Sequence, residues 1–200
     1  PAILETWFAG TEAGHAIADV LFGDVNPGGK LPVTFPRTVG QCPLYYDQKS
    51  TGRPATAEKY TSKYLDVAVT PQYPFGHGLS YTRFELSDLT LGARSLAPDQ
   101  DQTVSVTVRN AGDRAGDEVV QLYVQDVASS VTRPVRQLRG FQRITLKPGE
   151  RRHLAFTLGP QDLGFLDRNL DFVVEPGRFR VWAATSSEGG LEADFQVVSR

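Results

Sequence analysis

The chain has 200 residues, 40% of them hydrophobic and 22% charged, with a formal net charge of −2. That is enough chain for one large domain or two modest ones with a real core. The balanced charge leaves no basic field for a phosphate backbone, no apolar run reaches the ~20 residues of a membrane span, and one cysteine, Cys42, allows no internal disulfide framework.

In chain order, Ala2-Ile3-Leu4 and Trp7-Phe8-Ala9 read as short strand or loop material ending at Gly10, with Trp7 expected in the core. A helix should follow. Thr11 is placed to accept its free amide hydrogens, Glu12 favours the positive end of the dipole, and Ala13, Ile17 and Val20-Leu21 form one apolar stripe. Gly23 is the expected stop, before a turn region over 24–29. Residues 30–36, Lys-Leu-Pro-Val-Thr-Phe-Pro, are extended, because each proline biases its predecessor away from helix. One strand, one helix and one extended piece cannot close a sheet covered by helices, so residues 1–45 read as the tail of a larger α/β domain.

Residues 46–84 form a long connection rich in Tyr, Lys and Arg and poor in periodicity. Connections of that length more often cross a domain surface or shape a binding site than lie idle. From residue 85 the hydrophobic period becomes two. Val104, Val106 and Val108 share a face, as do Val120, Leu122 and Val124, then Leu154, Phe156 and Leu158, then Phe179, Val181 and Ala183, and lastly Leu191, Ala193, Phe195 and Val197. Turns fall at Asn110-Ala111-Gly112-Asp113, Pro148-Gly149-Glu150 and Glu175-Pro176-Gly177. About seven short strands with this patterning predict an antiparallel sandwich over 85–200.

Three ordered phrases carry a resemblance. They are Trp7-Phe8-Ala9-Gly10-Thr11-Glu12-Ala13-Gly14 with Asn26-Pro27-Gly28-Gly29-Lys30-Leu31-Pro32; Tyr73-Pro74-Phe75-Gly76-His77-Gly78-Leu79-Ser80-Tyr81; and Arg133-Pro134-Val135-Arg136-Gln137-Leu138-Arg139-Gly140-Phe141. Together they resemble the C-terminal end of family 3 glycoside hydrolases of the bacterial periplasmic β-glucosidase type. The resemblance implies an incomplete α/β sandwich domain followed by an all-β, fibronectin type III-like or immunoglobulin-like sandwich. It further implies a retaining β-glucosidase acting on a β-linked oligosaccharide or glucoside without a cofactor, in the periplasm or secreted. By the same resemblance neither catalytic carboxylate is expected within 1–200: the nucleophile would belong to a barrel domain and the acid/base to an earlier α/β segment, supplied by the same protein or a companion chain. The chain alone is therefore expected to be inactive. A non-catalytic carbohydrate-binding or adhesion sandwich is the alternative.

Retaining hydrolysis needs two carboxyl groups about 5–5.5 Å apart. Glu12 reads instead as a helix-start residue, Asp19 as a surface group, Glu58 as part of the variable connection, and Asp117-Glu118 as a solvated strand edge. His15, His77 and His153 lack metal-ligand spacing; His15 and His153 are expected at the surface and His77 at the domain junction. Tyr45, Tyr46, Arg53, Lys59, Tyr60 and Tyr64 are the candidate substrate-binding residues. Aromatic faces stack on sugar rings, and Arg and Lys donate to hydroxyls. The same residues would equally tie the α/β domain to the sandwich and barrel.

Overall fold

A computed structural model describes residues 2–199. Helix α1 spans Ala13–Phe22 and ends at Gly23, whose N–H bonds the Val20 carbonyl. Its start differs from expectation. Glu12, not Thr11, occupies the N-cap, no side chain caps the free amides, and the Glu12 carboxylate instead meets His15 Nδ1 at 2.8 Å. No residue of α1 is buried; Leu21 and Phe22 stand exposed, as do Ile3 and Phe8 of the preceding segment. Trp7, expected in the core, is 52% exposed and touches Phe35 only edge-on.

The prolines keep 30–36 extended, a single 3-10 turn follows at Val39–Gln41, and the stretch folds back on 68–78. Leu31 N–H bonds His77 O at 2.8 Å, Gly76 N–H bonds Leu31 O at 2.8 Å, and Phe35 bridges Tyr73. The buried Gln41 side chain closes the far end, donating to the carbonyls of Ala68 and Thr70 and accepting from Arg37 N–H. Residues 42–67 are thus an excursion whose two ends are pinned together, which is why they need no regular element of their own.

The sandwich follows the period-two pattern closely. Strands β1 (Phe84–Leu91), β3 (Gln102–Asn110) and β6 (Arg151–Leu158) form one sheet in the order β1-β3-β6, with β2 (Ser95–Leu96) falling between β1 and β3 in the chain. The facing sheet holds β4 (Gly116–Asp126), β5 (Gln137–Leu146), β9 (Gly177–Ala184) and β10 (Leu191–Val197), in the order β2-β10-β9-β4-β5. A short helix α2 (Pro160–Leu163) and a small hairpin, β7 (Phe165–Leu166) with β8 (Phe172–Val173), link β6 to β9. The long strands pair antiparallel, as the alternation implies, but β2 lies parallel to β10. Val104, Val106, Val108, Val120, Leu122, Leu154, Phe156, Leu158, Phe179, Val181 and Phe195 meet between the sheets as one core.

Strand β4 is buried on both faces, which alternation alone does not disclose. Its outward Tyr123 is fully buried with Trp182 of β9 under Tyr46, Phe75 and Leu138. The connection therefore roofs the outer face of the five-stranded sheet.

Candidate functional site

The junction between tail and sandwich is built from the two glycine-rich phrases. Asn26 spends its whole amide there: Nδ2 donates to Ala115 O at 3.0 Å, and Oδ1 accepts from Ser80 Oγ at 2.9 Å and Tyr81 N–H at 2.8 Å. A side chain at Gly78 would place its Cβ 2.2 Å from the Gly29 carbonyl oxygen, so the two phrases can interlock only without one. Gly76 has φ of +78°, and a Cβ there would fall 2.1 Å from Gln121 Oε1. The Gln121 amide instead donates to Gly76 O at 3.2 Å and Thr185 O at 2.9 Å, while Tyr123 OH donates to its Oε1.

Lys30 Nζ lies 2.7 Å from Glu118 Oε1, with the two side chains 11% and 6% exposed, and also donates to Gly78 O at 3.2 Å. Glu118 Oε1 accepts from Val119 N–H as well. This corrects the reading of Glu118 as solvated. Only its neighbour Asp117 faces outward, where Thr145 Oγ1 and the Arg143 guanidinium hold its carboxyl below the usual carboxylate range. His77 occupies the junction as expected. It stacks on Tyr73 at 5.4 Å, and burial with the nearby Lys30 charge lowers its pKa.

The six sequence candidates divide into two groups. Tyr46 packs face to face on Phe75 at 4.3 Å and edge-on to Tyr123 at 6.0 Å, and its hydroxyl accepts from Leu138 N–H at 3.4 Å. Burial raises its pKa. It fastens the connection to the sheet while one side borders a cleft of about 240 Å³. Tyr45, 66% exposed, lines the same cleft. Arg53, Lys59, Tyr60 and Tyr64 line no part of it; they stand exposed on the 51–64 loop.

That loop is organised by its own backbone. Lys63 Nζ donates to the carbonyls of Thr56, Ala57 and Glu58 at 2.9, 3.2 and 2.7 Å, and Ser62 N–H bonds Arg53 O at 2.9 Å. Thr51 Oγ1 meets Ser62 Oγ at 3.0 Å. Lys59 Nζ sits 5.4 Å from the Tyr60 ring centre, a cation–π contact at the surface. The loop thus holds two cations, Arg53 and Lys59, and two aromatic rings toward solvent on a closed frame.

The sandwich contributes residues to the cleft that carried no prior signal as site residues. Arg136 Nη1 donates to the carbonyls of Ser187 at 2.5 Å and Gly189 at 3.1 Å, and its guanidinium lies 4.1 Å over the Trp182 ring. Burial lowers its pKa, with Tyr123, Glu188 and Glu192 opposing. Glu188, Gln48, Thr34, Thr70 and Ser187 complete the polar lining. Arg136 lies in a phrase that carries the family resemblance, and Gly189-Gly190 marks a turn between strands, but nothing in the sequence shows that this turn meets Arg136.

Among the described residues, no group of three or more His, Cys, Asp or Glu is arranged to hold a metal. Glu12 is engaged at the surface with His15, and Glu58 sits on the exposed loop.

Residues 1–81 match the glycosyl hydrolase family 3 C-terminal domain, and residues 118–187 match the fibronectin type III-like domain. The chain belongs to glycosyl hydrolase family 3. It is 52% identical to a periplasmic beta-glucosidase of Salmonella typhimurium over 98% of its own length and 26% of that protein. A beta-xylosidase of Formosa agariphila is 48% identical over 100% of this chain and 27% of its own. The crystal structure of a beta-glucosidase from Listeria innocua superposes with a TM-score of 0.93 at 44% identity, over 98% of this chain and 27% of that one. The family 3 chain described here thus spans about a quarter of the length of the curated relatives it matches.

Proposed function

We propose that this chain is the C-terminal portion of a retaining β-glucosidase that hydrolyses terminal β-D-glucosyl residues, with both catalytic carboxylates carried outside residues 1–200. The observation that carries the reading is the ordered match to a family 3 C-terminal domain and a fibronectin type III-like domain in one chain. Residues 1–45 are the end of the α/β domain, 46–84 the connecting segment and 85–200 the fibronectin type III-like domain. Its role is support and outer-subsite contact. The Lys30–Glu118 pair and the Asn26 bonds hold the α/β tail on the sandwich, and the 51–64 loop offers Arg53, Lys59, Tyr60 and Tyr64 to a β-linked oligosaccharide beyond the scissile bond, with Tyr45 and Tyr46 at its base. The exposed apolar surface of Ile3, Phe8, Leu21 and Phe22 is where the rest of the α/β domain packs. The name of the Salmonella relative supports a periplasmic or secreted location.

Two assays test this. The chain alone, with its mass verified, should not hydrolyse a chromogenic aryl β-glucoside above buffer. Turnover that falls in Glu58→Gln or Glu12→Gln would place a catalytic carboxylate inside the chain and overturn the reading. A chimera in which residues 1–200 replace the matching stretch of the Listeria innocua enzyme should hydrolyse the same substrate; a folded, inactive chimera would refute the supporting role.

A further inference from the structure

The cleft between the connection and the sandwich has a chemistry distinct from that of the exposed loop. Its lining includes Tyr45, Tyr46 and Gln48 from the connection and Val135, Arg136 and Glu188 from the sandwich. Arg136 is held in one orientation by two backbone carbonyls and the Trp182 face. Those bonds engage Nη1, so Nε and Nη2 remain for a further acceptor. The Tyr45 ring is 66% exposed, and beside it the lining carries one cation, one anion and several neutral polar groups.

That balance selects the ligand. A phosphate or carboxylate drawn to Arg136 would meet Glu188, and an amine drawn to Glu188 would meet Arg136. A wholly apolar molecule would strip water from both charges without replacing their hydrogen bonds. A neutral ring with an apolar face and a rim of hydroxyls satisfies every wall at once: the aromatic face stacks, the guanidinium donates and the carboxylate accepts.

We propose that this cleft is a binding site for one pyranose ring of a neutral sugar, with Tyr45 as stacking face, Arg136 as hydrogen-bond donor and Glu188 as acceptor. The choice of glucosides as probes rests on the function proposed above; the existence of the site rests on the cleft. A ring held here is bound by the sandwich and the base of the connection, separately from any sugar that Arg53 or Tyr60 touches.

The test is a titration of the ¹⁵N-labelled full chain with methyl β-D-glucoside and with cellobiose, followed by amide shifts. Saturable shifts are expected at 44–48, 69–71, 135–136 and 187–189. Tyr45→Leu should weaken binding about five- to tenfold, whereas Tyr45→Phe, which keeps the ring, should bind as the parent does. Glu188→Ala should also weaken it. The dispersion of each variant's spectrum reports that it has folded. No saturable shift with either sugar, shifts confined to 51–64, or unchanged affinity in Tyr45→Leu would each overturn the proposal. An active chimera with a silent cleft would sink the site alone, and a saturable cleft with an inactive chimera would sink the glucosidase reading alone.

Discussion

Replacing Lys30 with Met removes the charge that faces Glu118 while keeping most of the side chain's volume. The pair is 2.7 Å apart, and both side chains are nearly withdrawn from water at 11% and 6% exposure. An exposed pair of this kind contributes at most about 1 kcal/mol. Deleting one partner of a buried pair costs about 3–5 kcal/mol, because the other charge stays behind without compensation. Glu118 retains the Val119 N–H as a donor, which offsets part of the loss and places the expected cost near the lower end, about 3 kcal/mol. For a chain of this size that corresponds to a fall in Tm of roughly 6–12 °C. Urea unfolding followed by tryptophan fluorescence measures it, with Trp182 reporting from beside the roofed sheet face. The cycle is completed by Glu118→Gln alone and by the double variant. If the cost in Lys30→Met comes from a stranded carboxylate, the double variant should recover most of it. A Lys30→Met protein within about 0.5 kcal/mol of the parent would refute the argument, since it would mean that water reaches Glu118.

Gly76→Ala should destabilise by on the order of 3 kcal/mol in the same urea assay, because a side chain there needs both a left-handed backbone and displacement of the Gln121 amide. A neutral result would mean that the connection does not rest on the sheet as described. Asp117 has a depressed folded-state pKa, caused first by the Thr145 bond and then by Arg143, so its stabilisation is present above the unfolded carboxylate value of about 3.9 and is lost as pH falls through the lower folded value. Asp117→Asn should accordingly flatten the acid limb of the stability profile below about pH 4 and leave the acid dependence from other groups in place. Residues 85–200 expressed alone should unfold cooperatively by calorimetry, because the core between the sheets lies within that span, but at a lower Tm than the whole chain once the Tyr123 and Trp182 face loses its cover. A non-cooperative melt would sink the proposed domain boundary.

The sequence by itself determined the local geometry. The alternation in 102–110, 151–158, 177–184 and 191–197 assigns inward faces because successive strand side chains point to opposite sides, and the core residues it picks are those that meet between the sheets. Gly23 and the Pro148-Gly149 turn were legible for the same reason: they constrain only their own neighbours, whereas Gly177, read as part of a turn, already opens β9. The ordered phrases also disclosed the family without any knowledge of what they touch.

Tertiary structure decided what covers what. Glu118 looks like any strand-edge carboxylate until Lys30, far upstream in the chain, is brought within 2.7 Å of it. The outward side of β4 reads as a solvent face until Tyr46 and Phe75 close over Tyr123. The six candidate binding residues form one run in sequence, yet Tyr45 and Tyr46 border a cleft completed by Arg136 and Glu188, while the other four ride a separate loop fastened by Lys63. Periodicity records which way a side chain points. It carries no information about which distant segment arrives to meet it, because that is set by packing between elements with no regular spacing in the chain.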